Sequence, residues 1–153
     1  MANLFPETYT NEEILVQNDI NKEVTGYHPG KYFDYETGDY KRTGTNVICD
    51  ATGVEVWEQW CIKCLSTQKY SCAAYYEFGV DYEAALKEED RDKVESILTR
   101  GITEALLADP YKRTKGVSDI SFDWTIPDSL VIYATINGIE NVTRDITVIK
   151  GGV

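Results

Sequence analysis

"LTRGITEALLADPYKRTKGVSDISFDW", residues 98–124, contains the change of pattern that decides the fold. Before Pro110, apolar residues such as Leu98 and Ile102 recur every three or four positions, which predicts a helix over about residues 90–108. Pro110 ends this helix, because proline cannot continue it. After the turn the pattern alternates and predicts a strand. One face of this strand carries Ser118, Ile120, Phe122, Trp124 and Ile126.

Two further strands follow the first one. The segments "LVIYATIN" (130–137) and "VTRDITVI" (142–149) are bounded by the turn sequences "PDS" and "GIEN". Short strands joined by short turns form an antiparallel meander. The pattern therefore predicts an α+β fold, in which helices pack on a small antiparallel three-strand C-terminal sheet.

The segment "TGVEVWEQWCIKCLST" (52–67) predicts a second amphipathic helix, with Thr52 or Asp50 as its N-cap. Its expected core-facing positions are Val54, Trp57, Cys61, Cys64 and Leu65. Upstream, "KYFDYETGDYKR" (31–42) predicts a hairpin with Thr37 and Gly38 in its turn.

Residues 1–30 show little periodicity, and we interpret them as an extended N-terminal arm. Residues 31–153 then form a single α+β domain, a size that can close one hydrophobic core.

The formal net charge of −11 argues against nucleic acid and anionic membranes as partners, because both bind clustered cations. No apolar run is long enough to span a bilayer, and the N-terminus lacks the pattern of a secretory signal. We therefore expect a protein of the cytoplasm with reduced cysteines. The charge is uneven, since residues 61–116 hold 9 Lys or Arg against 10 Asp or Glu.

The four cysteines are Cys49, Cys61, Cys64 and Cys72. The C-x-x-C pair at 61–64 lies in the middle of a predicted helix, whereas zinc sites present such pairs on turns. We expect buried structural thiols, no metal site and no cofactor. A metal or redox role remains the alternative.

The carboxylates Glu77, Asp81 and Glu83 flank Gly79 and offer the other route to catalysis. Two converging acids could cleave a glycosidic bond, as in a wall-degrading, lysozyme-like enzyme. With 26 acidic residues in the chain, such clusters arise without a catalytic purpose. Helix capping and solvation are the better explanation of these three.

The order of elements resembles a known family. The matching positions of the first half are Glu36-Thr37-Gly38, Gly53, Gln59, Leu65, Thr67, Tyr70, Tyr75, Phe78-Gly79 and Leu86. The second half, "VESILTRGITEALLADPYKRTKGVSDISFDW" followed by "LVIYATI", looks like the family's long helix and strands. The resemblance covers about residues 31–149. The family is the baseplate wedge and sheath initiator of contractile tails, related to the small lysozyme-like baseplate protein of phages and phage-tail-like bacteriocins.

The resemblance implies a structural role without enzymatic activity. Members of such a family would be made in the bacterial cytoplasm and built into the baseplate as several copies in a ring around the tube. The implied partners are the sheath protein, other baseplate wedge subunits, and the tail tube or hub proteins. The family has Glu-Pro-Arg or Asp-x-Arg after the long helix, but Tyr111 stands here where arginine is expected.

The basic turn after the long helix is the first candidate site. We expect a contact with an acidic neighbouring wedge subunit, since opposite charges fix the register of an interface. The alternative is that these cations only complement the helix dipole. The candidate residues are Arg100, Asp109, Pro110, Lys112, Arg113 and Lys115.

The edge of the sheet is the second candidate site. An exposed edge strand can accept an extended segment of another chain by backbone hydrogen bonding. We expect the sheath protein to add such a strand, and the candidate residues are Val142, Arg144, Ile146 and Val148.

Overall fold

The computed structural model describes residues 25–152, so that residues 1–24 of the predicted arm lie outside the described part of the chain. The strands are β1 (Gly30–Lys31), β2 (Phe33–Asp34), β3 (Asp39–Tyr40), β4 (Asp50–Ala51), β5 (Thr114–Asp123), β6 (Ser129–Gly138) and β7 (Thr143–Gly151). The α-helices are α1 (Gly53–Ser66), α2 (Tyr82–Ala85) and α3 (Arg91–Leu107). Short 3-10 turns lie at Ala73–Tyr75 and Ile139–Asn141.

The C-terminal sheet has the order β5-β6-β7, and both pairs of strands are antiparallel. The β6–β7 pair keeps one register throughout, for example Tyr133 opposite Thr147. Its turn uses positive φ angles at Glu140 and Asn141, as tight hairpin turns do. The predicted meander and the α+β class are therefore confirmed.

One hydrophobic core lies between this sheet and the helices, where α1 contacts β7 and α3 contacts β5. Tyr82 is buried in it and its hydroxyl donates to the carbonyl oxygen of Leu65. The predicted inward positions of α1 are confirmed, with Val54 only partly buried. The largest fully buried side chains are Trp57, Tyr82, Leu65, Leu98, Ile102, Leu106, Leu130, Ile132 and Ile136.

Helix α1 begins where the sequence predicted. The Thr52 hydroxyl accepts from the Glu55 backbone N–H at 3.3 Å, and the Glu55 carboxylate accepts from the Thr52 N–H at 2.7 Å. This reciprocal capping box satisfies two helix-end donors. The same hydrogen bonds lower the pKa of Glu55. Thr52, and not Asp50, is therefore the cap.

Strand β5 differs from the prediction. It starts at Thr114, earlier than expected, and its register with β6 shifts twice, near Lys115 and between Ser118 and Ser121. Asp119 takes a φ of 51° at the second shift. An added residue in one strand flips the side-chain alternation. The single predicted face is therefore broken, and Ile126 lies beyond the strand with 46% of its surface exposed.

The N-terminal hairpin lies against α1. Phe33 pairs with Tyr40, and Gly38 takes the φ of 72° that its turn requires. Gln59 of α1 holds the hairpin, because its Oε1 accepts from the Phe33 N–H at 3.0 Å. Its backbone oxygen accepts from the Tyr35 hydroxyl at 2.9 Å. The hairpin is thus fixed to the helix by both the side chain and the backbone of one residue.

Candidate assembly surfaces

The basic turn contains a buried ion pair. Arg113 Nε and Nη2 donate to the two carboxylate oxygens of Asp109 at 2.8 and 2.9 Å. The same carboxylate accepts from the backbone N–H of Tyr111 at 3.1 Å and of Arg113 at 2.9 Å. The two side chains are 3% and 0% exposed. This two-pronged arrangement satisfies a charge pair that burial would otherwise penalise.

Aromatic rings enclose the guanidinium of Arg113. Its carbon lies 4.9 Å from the ring centre of Tyr111 and 5.6 Å from that of Trp60. The Tyr111 backbone oxygen accepts from the Gly26 N–H at 2.9 Å, and the Ile139 N–H donates to the Arg113 carbonyl at 2.8 Å. The turn is therefore held by α1, by the segment at Gly26 and by the β6–β7 connection.

This geometry divides the predicted basic site. Asp109 and Arg113 are buried against each other, whereas Pro110, Lys112 and Lys115 are exposed. Lys112 has a φ of 52°, the left-handed conformation that lets the chain turn back over Asp109. The partner contact predicted for these residues stays a prediction, but Arg113 also has a structural partner that sequence reasoning missed.

The helix-dipole alternative receives little support. The last turn of α3 contains no basic residue, and the turn cations follow its C-cap, Ala108. Arg100 lies inside α3, is exposed, and donates through Nε to Glu104 at 2.8 Å. It therefore belongs to the exposed side of the helix and is not part of the Asp109 cluster.

Buried and exposed side chains alternate in the central part of strand β7. Ile146 and Val148 are each 4% exposed and belong to the core, while Ile149 is 65% exposed. Arg144 is exposed, with Nε 3.7 Å from a Glu58 carboxylate oxygen, and Val142 is partly buried. The predicted sheath residues thus include two whose side chains are used internally.

One hydrogen bond shows which residues of β7 point their backbone N–H and carbonyl groups towards β6. The Gly138 N–H donates to the Val142 carbonyl at 2.7 Å, so the backbone groups of these two residues face each other. In an antiparallel pair such residues alternate along the strand. Even-numbered residues of β7 therefore face β6 with their backbone groups. The outward backbone groups belong to Thr143, Asp145, Thr147, Ile149 and Gly151.

The two sheet edges are unequal. No described strand pairs with the outer edge of β7, whose register is regular over its whole length. The outer edge of β5 also has no partner strand in the described range, but it is bent by two register shifts. Just after β5, Trp124 Nε1 donates to the Glu95 carboxylate of α3 at 2.8 Å. Bulges hinder strand addition, and β7 is the more suitable edge.

The candidate catalytic carboxylates serve local structure. Asp81 caps α2 by accepting from the Ala84 N–H at 3.2 Å, and it also accepts from Gln68 Nε2 at 2.9 Å. Glu77 lies 3.3 Å from Lys69, and Glu83 is exposed. Each of these contacts is what the non-catalytic interpretation expects.

The thiols of α1 behave as core groups. Cys61 and Cys64 are buried and free. Burial raises the pKa of Cys64 to about 11, and it raises the pKa of Cys61 still further. Such thiols are poor nucleophiles and poor metal ligands, because both roles need the thiolate. Within residues 25–152, no three metal-ligating side chains converge, and no helix is long and apolar enough to cross a bilayer.

A small α+β domain with a regular sheet edge that no described strand covers, and with a partly basic turn, is suited to assembly with other chains. Residues 32–141 match a protein family described as the contractile injection system sheath initiator. The chain belongs to this family. The predicted family is thus confirmed, and with it a structural part in the baseplate of a contractile tail. A comparison with curated proteins gives no match.

Proposed function

We propose that the chain nucleates the sheath by accepting an extended strand of the first sheath subunit along the outer edge of β7. The observation that carries the proposal is the regular outer edge of β7, with which no strand of residues 25–152 pairs. Its outward backbone groups lie at Thr143, Asp145, Thr147, Ile149 and Gly151. Strand addition gains affinity from backbone hydrogen bonds and selectivity from alternating side chains.

The charge on this edge limits nonspecific pairing. The Asp145 carboxylate accepts from the Thr135 hydroxyl at 2.7 Å and stands on the exposed side of the strand. Arg144 and Lys150 lie near the two ends of β7, on even-numbered positions. Charged side chains along an edge discourage pairing with an unrelated strand. A cognate strand must therefore match both the backbone register and these charges.

The turn after α3 is proposed as the contact with a neighbouring wedge subunit. Its exposed members are Pro110, Lys112 and Lys115, and Arg100 stands on the preceding helix. The buried pair of Asp109 and Arg113 fixes the shape of the turn from inside. An acidic partner surface would complement the exposed cations and set the orientation of the subunit.

The wider assembly is proposed from the family to which the chain belongs. The chain is proposed to act without enzymatic activity, as several copies in a ring around the tail tube or hub, and to assemble in the bacterial cytoplasm before the sheath. Each copy would hold a wedge subunit through the turn and a sheath subunit through β7.

Thr147→Pro tests the strand addition, because proline removes one outward backbone N–H and leaves the β6 ladder intact. Thr147→Ala is the matched control, since it shortens the same side chain and keeps the N–H. The binding of each variant to the purified sheath subunit is measured by size exclusion and biolayer interferometry. We expect Thr147→Pro to lose binding, while its circular dichroism and urea midpoint stay close to those of Thr147→Ala.

Unchanged sheath binding by a folded Thr147→Pro variant would refute the proposal. Truncation of β7 is not an adequate test, because it removes Ile146 and Val148 from the core. Val148→Pro serves as the opposite control, since its N–H faces β6, and we expect it to reduce stability markedly.

A further inference from the structure

A predominantly apolar groove lies between α1, the segment that follows α1, and the end of α3. Its volume is about 490 Å³. Tyr75, on its wall, is 63% exposed. Contiguous exposed apolar surface marks places where another segment of polypeptide binds. The lining residues that carry the argument are Trp60, Tyr75, Phe78, Ala105, Ala108 and Pro110.

The beginning of the described chain lies beside this groove. The Gly26 N–H donates to the Tyr111 carbonyl at 2.9 Å, and the rings of His28 and Tyr111 have their centres 5.8 Å apart. Tyr111 directly follows Pro110, which lines the groove. The segment of residues 1–24 is therefore joined to the domain next to the Pro110 wall of the groove.

The sequence of this segment contains a suitable apolar run. Residues 14–16 read "ILV", three consecutive apolar side chains. Eight residues separate the run from Thr25, and an extended chain of that length spans up to about 30 Å. The run can therefore reach the groove. The other apolar pair, Leu4 and Phe5, is joined through a longer linker, which lowers the local concentration of a tethered segment.

The charge at the groove also fits this segment. Lys63, which lines the groove, has its Nζ 5.6 Å from the ring centre of Tyr75. The acidic residue of the lining, Glu77, is paired with Lys69 at 3.3 Å. The sequence "NEE" at residues 11–13 places two carboxylates directly before the apolar run. These carboxylates would complement the Lys63 cation beside an occupied groove.

We propose that residues 14–16 dock in this groove of their own chain and place their apolar side chains against Trp60, Tyr75 and Phe78. The tether to Gly26 favours the chain's own segment over that of a second copy, because it keeps the local concentration high. The inference is independent of strand addition, since no residue of β7 lines the groove.

The experiment places a photoreactive side chain in the groove of the full chain. Tyr75→p-benzoyl-phenylalanine replaces one exposed aromatic ring by another. After irradiation at low protein concentration, a denaturing gel separates single chains from cross-linked dimers, and mass spectrometry identifies the joined peptides. We expect a cross-link within one chain to the peptide that contains residues 14–16.

Serine substitutions in the segment test which residues dock. Ile14→Ser, Leu15→Ser and Val16→Ser, introduced together, should lower the yield of this cross-link at least about tenfold, because burial of even one such side chain is worth about that factor. Leu4→Ser combined with Phe5→Ser is the matched control in the same segment, and it should leave the yield unchanged.

The groove supplies a second pair of variants. Ala108→Glu introduces a charge into the lining and should lower the yield. Leu107→Glu introduces the same charge at the exposed neighbouring position outside the lining and should not. Circular dichroism and the urea midpoint check that each variant is folded. If Ala108→Glu does not fold, the serine variants still decide, because they leave the groove unchanged.

Several outcomes would overturn the inference. A cross-linked dimer would identify a second copy as the occupant, and a cross-link that forms only with an added wedge subunit would assign the groove to that partner. The absence of a cross-link to residues 14–16, or an equal yield in the triple-serine variant, would reject the docking. None of these outcomes affects the sheath-binding test with Thr147→Pro, so the two proposals fail separately.

Discussion

Removal of the Arg113 guanidinium should destabilise the isolated protein. Arg113→Met keeps an apolar side chain of similar length, but it leaves the Asp109 carboxylate fully buried with only the two backbone N–H donors of Tyr111 and Arg113. Loss of one partner of a buried ion pair lowers the free energy of unfolding by about 3–5 kcal/mol. For a domain of this size that corresponds to a fall in Tm of roughly 6–20 °C.

The assay is urea unfolding followed by tryptophan fluorescence, with thermal melts by circular dichroism. Asp109→Asn combined with Arg113→Met should recover part of the loss, because the neutral amide needs no counter-charge and still accepts a hydrogen bond. Arg100→Gln is the control, and its exposed pair with Glu104 should leave the urea midpoint unchanged. A decrease below about 1 kcal/mol for Arg113→Met would refute the internal role, since the measured range for such pairs lies well above it.

Two further predictions concern the core. Gly79→Ala should lower the free energy of unfolding, measured in urea, by about 1–3 kcal/mol, because Gly79 has a φ of 103° and a Cβ there would lie 2.3 Å from the Thr67 carbonyl oxygen. Gly101→Ala, in the middle of α3 with ordinary contacts, should instead raise the free energy of unfolding. Equal effects of the two substitutions would contradict this reasoning. Burial raises the pKa values of Cys61 and Cys64, so above about pH 8.5 the unfolded chain binds fewer protons than the native one. The contribution of these protonated thiols to the free energy of unfolding is complete below that pH, and for Cys64 it is lost as the pH rises towards 11. The free energy of unfolding falls by at most about 1.4 kcal/mol per pH unit for each thiol. Urea midpoints measured from pH 7 to 10 under reducing conditions test this loss of stability. Cys64→Ala should make the midpoint fall less steeply with pH. An equal dependence on pH in the parent chain and in Cys64→Ala would contradict the role given to the Cys64 thiol.

The fold was largely predictable because the change from helical to alternating periodicity is a local property of the sequence. The same reasoning placed Cys61 and Cys64 in the core, since they share a stripe with Trp57. It failed on β5, where Asp119 adopts a positive φ and shifts the register. Nothing in "SDIS" requires this conformation, so the bulge could not be read from the pattern.

The basic turn shows a different limit. Asp109 and Arg113 lie four positions apart across a proline, and in the turn that brings their side chains together Lys112 has a left-handed conformation. A sequence shows the two charges but not this conformation. Charge alone suggested an external partner, whereas burial gives Arg113 an internal one. The exposed cations of the turn, Lys112 and Lys115, were the part that charge counting could predict.

The sheath contact predicted at the β7 edge stays a prediction, but the structure divides its residues into buried and exposed side chains. The predicted residues included the apolar Ile146 and Val148, whose side chains are buried in the core. The residues whose backbone faces outward, such as Thr147 and Ile149, alternate with them. Alternation was visible in "TRDITVIK", and the rule that the apolar residues face the core predicts that the odd-numbered side chains are exposed.

Because of this alternation, the even-numbered residues Ile146 and Val148 of β7 are buried, whereas the odd-numbered Thr147 and Ile149 are exposed. Substitutions at Ile146 or Val148 change how firmly the domain folds, because these side chains fill its interior. Substitutions at Thr147 or Ile149 alter the surface next to an added strand and leave the interior as it is. Under the proposed strand addition, stability and the choice of sheath strand would therefore be adjusted separately within one short segment. A chimeric edge that exchanges only the odd-numbered side chains of β7 should transfer partner preference between related initiators without rebuilding either core.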